Sequence, residues 1–130
     1  MVPKYVSLCD YGIYAQIRSR HSAIGIINYF SASRFPARLR FDVISQWFAE
    51  DGEMEGNFTI RVIAVAGREG NQSAIAATSP GTIRFDPFTH AAANTAHFDI
   101  QVPAAGDYQL EFYFDDRLIH TLTFPVIPED

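Results

Sequence analysis

Cysteine is almost absent from this sequence, which has one, at position 9, in 130 residues. A single thiol excludes a disulfide framework and any zinc module built from several cysteines. Long apolar runs are missing too, because no stretch approaches the roughly 18 residues of a membrane-spanning helix. The first ten residues lack the apolar region and cleavage site of a secretory signal. We therefore expect a cytoplasmic protein that keeps a free thiol at Cys9 and does not associate with membranes.

Charged residues are scarce as well, at 19%, and the formal net charge is -5. This balance excludes a generally basic nucleic-acid-binding protein and argues against nucleic acid as the partner, although a local basic patch stays open. Hydrophobic residues make up 48% and aromatic residues 14%, which is enough for a packed core. At this length we expect one domain that spans residues 1–130.

Apolar and polar residues alternate along several short segments, as is typical of β-strands with one buried and one solvated face. Residues 39–43 are the clearest run, and turn residues such as Gly, Pro, Asn and Asp separate the runs. No segment has apolar residues at helical spacing for three turns, and alanine-rich 90–96 is the best candidate for a short helix. The other expected strands are 5–10, 12–17, 23–29, 58–64, 73–77, 82–85 and 98–102, followed by a final hairpin over 108–124.

Some seven to nine short strands separated by turns are typical of an antiparallel sandwich. We therefore predict an all-β protein, a single antiparallel β-sandwich of immunoglobulin-like type. An open barrel is the alternative, because a sequence pattern does not count sheets. The predicted core consists of large apolar side chains from the alternating segments: Leu8, Ile24, Ile26, Phe41, Val43, Trp47, Phe58, Ile60, Val62, Phe98, Ile100, Tyr108, Leu110, Phe112, Leu122 and Phe124.

The final hairpin is the best-defined segment. A three-residue loop, or a tight turn with a bulge, would pair Phe114 with Leu118 and keep the apolar faces of both strands together. That register places His120 on the buried face, opposite Phe112. A half-buried imidazole there could act as a base or a ligand. A core histidine bonded to a backbone carbonyl explains the position as well.

Other residues with chemical potential have structural explanations. His97 and Asp99 share one face of a strand and could ligate a metal, but no third ligand is near in sequence, so we expect a solvated face. Cys9 is expected to pack inside rather than react. The acidic stretch 50–55 lacks the oxygen spacing of a known calcium loop and is expected to be a solvated hairpin tip. We expect no metal, no cofactor and no catalytic residue.

Several landmarks of strand and turn type occur in a set order. They are segments 5–11 (Tyr-Val-Ser-Leu-Cys-Asp-Tyr), 24–26 (Ile-Gly-Ile), 35–37 (Phe-Pro-Ala), 106–108 (Gly-Asp-Tyr) and 124–126 (Phe-Pro-Val). Together they resemble a family of small bacterial cytoplasmic proteins that is a domain of unknown function. The resemblance covers nearly the whole chain and implies a one-domain, all-β bacterial protein, but it brings no activity or binding site. It departs at the first hairpin, where Arg18-Ser19-Arg20-His21 replaces the expected Asn-Gly or Asp-Gly turn.

The charges are distributed unevenly along the chain. Residues 11–40 carry five arginines and no acidic residue, a local balance of +5, whereas residues 41–130 have a balance of -10. The basic segment could pair with the acidic tip inside the molecule, meet the acidic surface of a second copy or another protein, or hold an anion. The guanidinium fork suits carboxylate and phosphate. The candidate binding residues are Arg18, Arg20, Arg34, Arg38 and Arg40.

No nucleophile elbow, P-loop, dinucleotide fingerprint or zinc-protease motif is present. We therefore predict a non-enzymatic protein-interaction module, which binds a second copy or another protein through a sheet edge or the arginine-rich segment 11–40. The alternative is a binder of a small anionic ligand, a nucleotide or a phosphorylated metabolite. A third hypothesis is an enzyme centred on His120.

Overall fold

Extended backbone accounts for most of the chain. The computed structural model describes residues 1–15, 20–50, 52–65 and 74–129, and these residues form ten strands and no helix. Residues 16, 17 and 73 of the expected strands lie outside the described residues. The strands are β1 (Val2–Ala15), β2 (Arg20–Ile27), β3 (Phe30–Ala32), β4 (Ala37–Phe48), β5 (Glu55–Ala64), β6 (Ala74–Ser79), β7 (Thr82–Arg84), β8 (Ala91–Val102), β9 (Gly106–Phe114) and β10 (Arg117–Pro128).

The strands are arranged in two sheets. The first has the order β2-β1-β4-β8, and the second has the order β3-β10-β9-β5-β6, with β7 also paired to β5. Neighbouring strands are antiparallel except β3 and β10, which are parallel. The predicted all-β class is confirmed. The count of seven to nine strands and the purely antiparallel pairing are not, because β3 has only three residues, too few for alternation to reveal it.

Aromatic side chains from the two sheets meet in the core. Phe41 of β4 lies with its ring centre 5.9 Å from that of Phe124 on β10. Trp47 of β4 contacts Phe58 and Phe112 at 5.6 and 5.5 Å. Burying one such side chain contributes about 1.5–3 kcal/mol. Strand β4 therefore supplies the large rings that hold the first sheet to the second.

Most of the predicted core is buried, but three of its members are not. Ile24 and Ile26 on β2 are 62% and 66% exposed, and Leu122 is only partly buried. The sequence reasoning placed the two isoleucines inside because it assumed that every alternating apolar face meets the core. Buried residues that it omitted are Met1, Ala37, Leu39, Ile44, Ile83, Phe85, Ala92, Ala96, Val102, Phe114 and Val126.

Strands β1 and β2 form a hairpin whose far end folds back over the outer face of the first sheet. His21 pairs with Tyr14 near that end. Its ring nevertheless contacts the hydroxyl groups of Tyr5, near the start of β1, and of Thr95 on β8. These contacts require β1 to bend between its two halves, so the hairpin covers part of the sheet to which it belongs.

The bend brings Gly12 against β4. A Cβ atom added at Gly12 would lie 2.5 Å from Cγ2 of Ile44, so only glycine allows this approach. The hairpin buries Ile44 and also Asp42, which is 6% exposed. The sequence pattern predicted a solvated Asp42, and this was wrong because the folded-back hairpin covers the outer face of β4 at this position.

The alanine-rich segment 90–96 is a strand rather than the short helix that it could have formed. Ala91–Val102 forms β8 and pairs with β4 along its whole length. Ala92 lies opposite Trp47, and Ala96 lies opposite Val43. Pairing and packing against β4 thus override the helix preference of alanine.

The final hairpin has a tighter turn than a three-residue loop. Residues 115 and 116 form a two-residue turn with φ values of 46° and 67°, as in the type I′ turns that suit hairpins. Phe114 pairs with the residue directly after the turn, not with Leu118 as predicted, and Leu118 is 48% exposed. A bulge then restores the predicted pairing of His120 with Phe112.

Replacing Gly12 with alanine should loosen the folded-back hairpin. The new Cβ would press on Ile44, and overpacking of this kind costs about 1–3 kcal/mol of unfolding free energy. Gly81→Ala is the matched control, because its Cβ would meet its nearest neighbour at an ordinary 3.6 Å. Urea denaturation measures both variants, and equal stability of the two would contradict the close contact.

Candidate functional site

Two of the candidate arginines form an ion-pair cluster on the outer face of the first sheet. Arg38 donates two hydrogen bonds to the Asp99 carboxylate at 2.8 and 2.6 Å, and Arg40 approaches the same carboxylate at 3.4 Å. The hydrogen bonds from Arg38 lower the pKa of Asp99. The basic segment therefore does pair within the molecule, and among the described residues its partner is Asp99 on β8 rather than the acidic stretch 50–55.

The other candidate arginines lie elsewhere. Arg20 is exposed at the start of β2, and Arg34 is exposed before β4 begins. Among the described residues, neither has a carboxylate within 4 Å. Arg18 lies outside the described residues. The structure thus brings Arg38 and Arg40 together and places Arg20 on the β1–β2 hairpin.

An apolar surface is exposed on the side of this hairpin that faces away from the sheet. Tyr11 and Ile13 on β1 are 53% and 46% exposed, and Ile24 and Ile26 on β2 are more exposed still. Tyr11 pairs directly with Ile24 across the ladder, so these two side chains share one face, while Ile26 follows on β2 opposite Cys9. We call these four residues the hairpin face. Grouped exposed apolar side chains are typical of contact surfaces.

Sequence reasoning missed the hairpin face because it assigned both isoleucines to the core. The alternation in segment 20–27 places Ile24 and Ile26 on one apolar face, and in the structure both are exposed. It does not tell which face is covered, since that depends on the bend of the hairpin, and no local pattern apart from the two glycines, Gly12 and Gly25, marks the bend. The same fold-back that buries Asp42 turns the isoleucines outward.

A polar contact fastens the covered side of the hairpin to the sheet. His21 Nε2 lies 2.9 Å from the hydroxyl oxygen of Thr95, and His21 Nδ1 contacts the hydroxyl of Tyr5. The Tyr14 ring packs edge-on against the imidazole at 4.9 Å. Burial lowers the pKa of His21. The neutral ring suits this site, because Nδ1 can accept a hydrogen bond from the Tyr5 hydroxyl while Nε2–H donates one to the Thr95 hydroxyl.

Asp42 fixes the bend itself. Its carboxylate accepts a hydrogen bond from the backbone N–H of Gly12 at 2.8 Å and lies 2.6 Å from His97 Nδ1. A buried carboxylate needs such partners. His97 and Asp99 both lie on the outer, exposed side of β8, as predicted. Within the described ranges, no three His, Cys, Asp or Glu side chains gather as a metal would require.

Cys9 and one residue of the acidic stretch, Glu53, lie closer to the core than a reactive or solvated group would. Cys9 is fully buried, and this burial raises the pKa of its thiol. The Glu53 side chain is only 13% exposed, because its carboxylate lies 2.8 Å from the Met1 nitrogen and 3.4 Å from Arg117. The expectation of a solvated tip is confirmed for residues 50, 52, 54 and 55, which are exposed, and is wrong for Glu53, while Asp51 lies outside the described residues.

His120 packs on aromatic rings at the boundary between the sheets. Its ring centre is 5.9 Å from Trp47 and 5.7 Å from Phe112. Burial lowers the pKa of His120. Within the described part of the chain, we find no hydrogen bond from its ring to a carboxylate, a hydroxyl or the backbone carbonyl that a core histidine would use. The aromatic contacts explain its position.

Residues 4–127 match the model of a protein family described as a family of unknown function, DUF6941. The chain belongs to this family. The resemblance inferred from the order of strand and turn landmarks is thereby confirmed at the level of an uncharacterised family. None of the curated proteins compared with the chain matches it. In the ranges that the structure describes, this DUF6941 chain has no helix long and apolar enough to cross a membrane.

Acidification should weaken the contact between the hairpin and the sheet. Because burial lowers the pKa of His21 in the folded state, the unfolded chain takes up its proton at a higher pH. The unfolding free energy therefore stays level above the ordinary histidine value of about 6.5 and falls as the pH drops below it. Burial lowers the pKa of His120 as well, so this residue also makes the unfolding free energy fall as the pH drops.

Urea denaturation at about pH 7.5 and about pH 5 isolates the contribution of His21. His21→Gln should lose less stability on acidification than the wild type does. The control is His90→Asn, because His90 is exposed and its φ of 58° suits asparagine. If His21→Gln lost as much stability on acidification as the wild type does, the His21 imidazole would not be the source of the pH dependence.

Proposed function

We propose that this chain is a non-enzymatic protein-interaction module and that it binds through the hairpin face. The supporting observation is the exposure of Tyr11, Ile13, Ile24 and Ile26 on a hairpin whose opposite side is already packed against the sheet. Covering apolar surface is favourable by about 25 cal/mol per Å². Because the inner side of the hairpin packs on the sheet, its outer side exposes these side chains to solvent, which argues for a role in contact.

The occupant that we propose for the hairpin face is a second copy of the chain. Residues 11–40 carry +5 and residues 41–130 carry -10, so each copy offers both the basic hairpin region and an acidic surface that complements it. Arg20 stands next to the hairpin face and can meet such a surface. Arg38 and Arg40 already share Asp99 and are less available.

We propose that side chains, rather than an added strand, make the contact. Gly25 lies between the two isoleucines with a φ of 68°, which interrupts the extended edge of β2. Irregularities of this kind keep edge strands from pairing with further strands. The side chains of Ile24 and Ile26 on either side of Gly25 are both exposed, so a partner can still cover them.

We further propose that the two sheets form an immunoglobulin-like sandwich, in one domain over residues 1–130. Support comes from Tyr108 at the start of β9, whose hydroxyl donates to the Ala104 carbonyl at 2.7 Å, as in the tyrosine corner of such domains. Sandwiches commonly act through edges and loops, although the fold alone selects no function. The single, buried Cys9 is compatible with a reducing, cytoplasmic compartment, and the landmarks with a bacterial source.

Light scattering tests the proposed contact. The wild type should have a mass above that of one chain, and the double variant Ile24→Thr, Ile26→Thr should have the mass of one chain. Threonine keeps the β preference of the strand while it removes apolar surface. High salt should reduce the wild-type mass, because it screens the attraction between the basic and acidic regions.

Leu118→Thr is the matched control, since Leu118 is an exposed aliphatic residue on β10 of the other sheet. This variant should keep the wild-type mass. A wild-type mass of one chain at the highest concentration measured would contradict self-association. An assembly that survives in the double isoleucine variant would show that the hairpin face is not the contact.

A further inference from the structure

A groove of about 720 Å³ opens where the folded-back end of the hairpin meets the loop between β7 and β8. This volume lies within the roughly 300–1,000 Å³ of small-molecule sites. The alanines at 91–93 line one part of it and leave space above the strand. The side chains that carry the argument are Lys4, Tyr14, Gln46, Phe48, Arg84 and Thr89.

Two cations line the groove. Lys4 comes from β1, and Arg84 comes from β7, 80 positions further along the chain. The Lys4 ammonium lies 5.8 Å from the centre of the Phe48 ring. Glu55 is opposite Arg84 in the β5–β7 ladder, but no ion pair within 4 Å joins them among the described residues. Both cations are thus available to a ligand.

The acidic residue of the lining, Asp86, is engaged in its own loop. Its carboxylate accepts hydrogen bonds from the backbone N–H groups of Phe88 and Thr89 at 2.8 and 2.9 Å. These hydrogen bonds lower the pKa of Asp86. The carboxylate therefore fixes the loop that forms one wall of the groove. Among the described lining residues, the two cations outnumber this one carboxylate, which already has hydrogen-bond partners.

Flat and polar surfaces complete the lining. Tyr14 and Phe48 supply aromatic rings, on which a planar group can stack. The Gln46 amide and the Thr89 hydroxyl supply neutral hydrogen-bonding groups. Cations, rings and neutral polar groups in one concavity are the combination that an anion with a planar ring requires.

We propose that this groove binds a small organic phosphate that carries a planar ring, a compound of the nucleotide class. Lys4 and Arg84 hold the phosphate, for which the guanidinium offers paired donors. The ring stacks on Tyr14, because the Lys4 ammonium already lies over the Phe48 ring. Because Tyr14 belongs to the folded-back end of the hairpin, bound ligand also stabilises the conformation that displays the hairpin face.

Calorimetric titration of the full chain with AMP tests the site. AMP should bind more tightly than inorganic phosphate or adenosine, since each offers only half of the matching chemistry. The double variant Lys4→Gln, Arg84→Gln should bind AMP at least about tenfold more weakly, because charged hydrogen bonds contribute about 1.5–3 kcal/mol each. Ala93→Leu, which fills the groove without a change of charge, should weaken binding as well.

Arg34→Gln is the control, because Arg34 is an exposed arginine that does not line the groove, and it should bind AMP as the wild type does. No heat from AMP at about 1 mM, or equal affinity in the double variant, would overturn the site. Equal affinity for AMP and inorganic phosphate would overturn the nucleotide class. The double variant should keep the wild-type mass in light scattering, so failure here is separable from failure of the hairpin contact.

Discussion

Burial of β4 on both faces is the constraint on which the rest of the structure depends. Phe41 and Trp47 on its inner face meet rings of the second sheet, while Asp42 and Ile44 on its outer face lie under the folded-back hairpin. Over residues 41–45, β4 is therefore covered twice and offers neither face to a partner. Any contact surface in this region must therefore come from the hairpin, whose inner side packs against β4 and whose outer side is exposed.

The bend at Gly12 links this packing to function. Close approach to Ile44, the hydrogen bond to Asp42 and the contacts of His21 all fix the hairpin against the sheet. Polar groups thus hold the covered side, while apolar side chains occupy the exposed side. This is the reverse of an ordinary amphipathic hairpin, in which the apolar side faces the core. The reversal exposes the hairpin face, which we propose as the interaction surface.

Alternation along a strand predicts which residues share a face, but it does not predict what covers that face. Phe41 and Trp47 were placed correctly because their partners are the general core of the protein. Asp42 was expected in solvent and is buried, whereas Ile24 was expected in the core and is exposed. The fold-back of the hairpin causes both differences. The first half of the strand at 91–102 was not predicted, because its alanines are too small to give an alternating pattern of large apolar residues that would indicate a strand paired with β4.

The candidate sites were only partly visible in the sequence. The charge asymmetry of segment 11–40 could be read directly, but the neutralisation of Arg38 depends on the register between β4 and β8, which no local motif encodes. Lys4 and Arg84 meet in one groove although they are far apart in the chain, so neither stood out. Long-range pairing creates both features, and composition cannot anticipate them.

Hydrogen exchange of the backbone amides at two protein concentrations tests the central claim, that the hairpin face is covered by a second copy, most directly. The account predicts that amides of β2 exchange more slowly in the concentrated sample, because the partner shields residues 20–27 from water. Amides of β10, at 117–128 in the other sheet, should exchange equally in both samples. Exchange in β2 that does not depend on concentration would contradict the account.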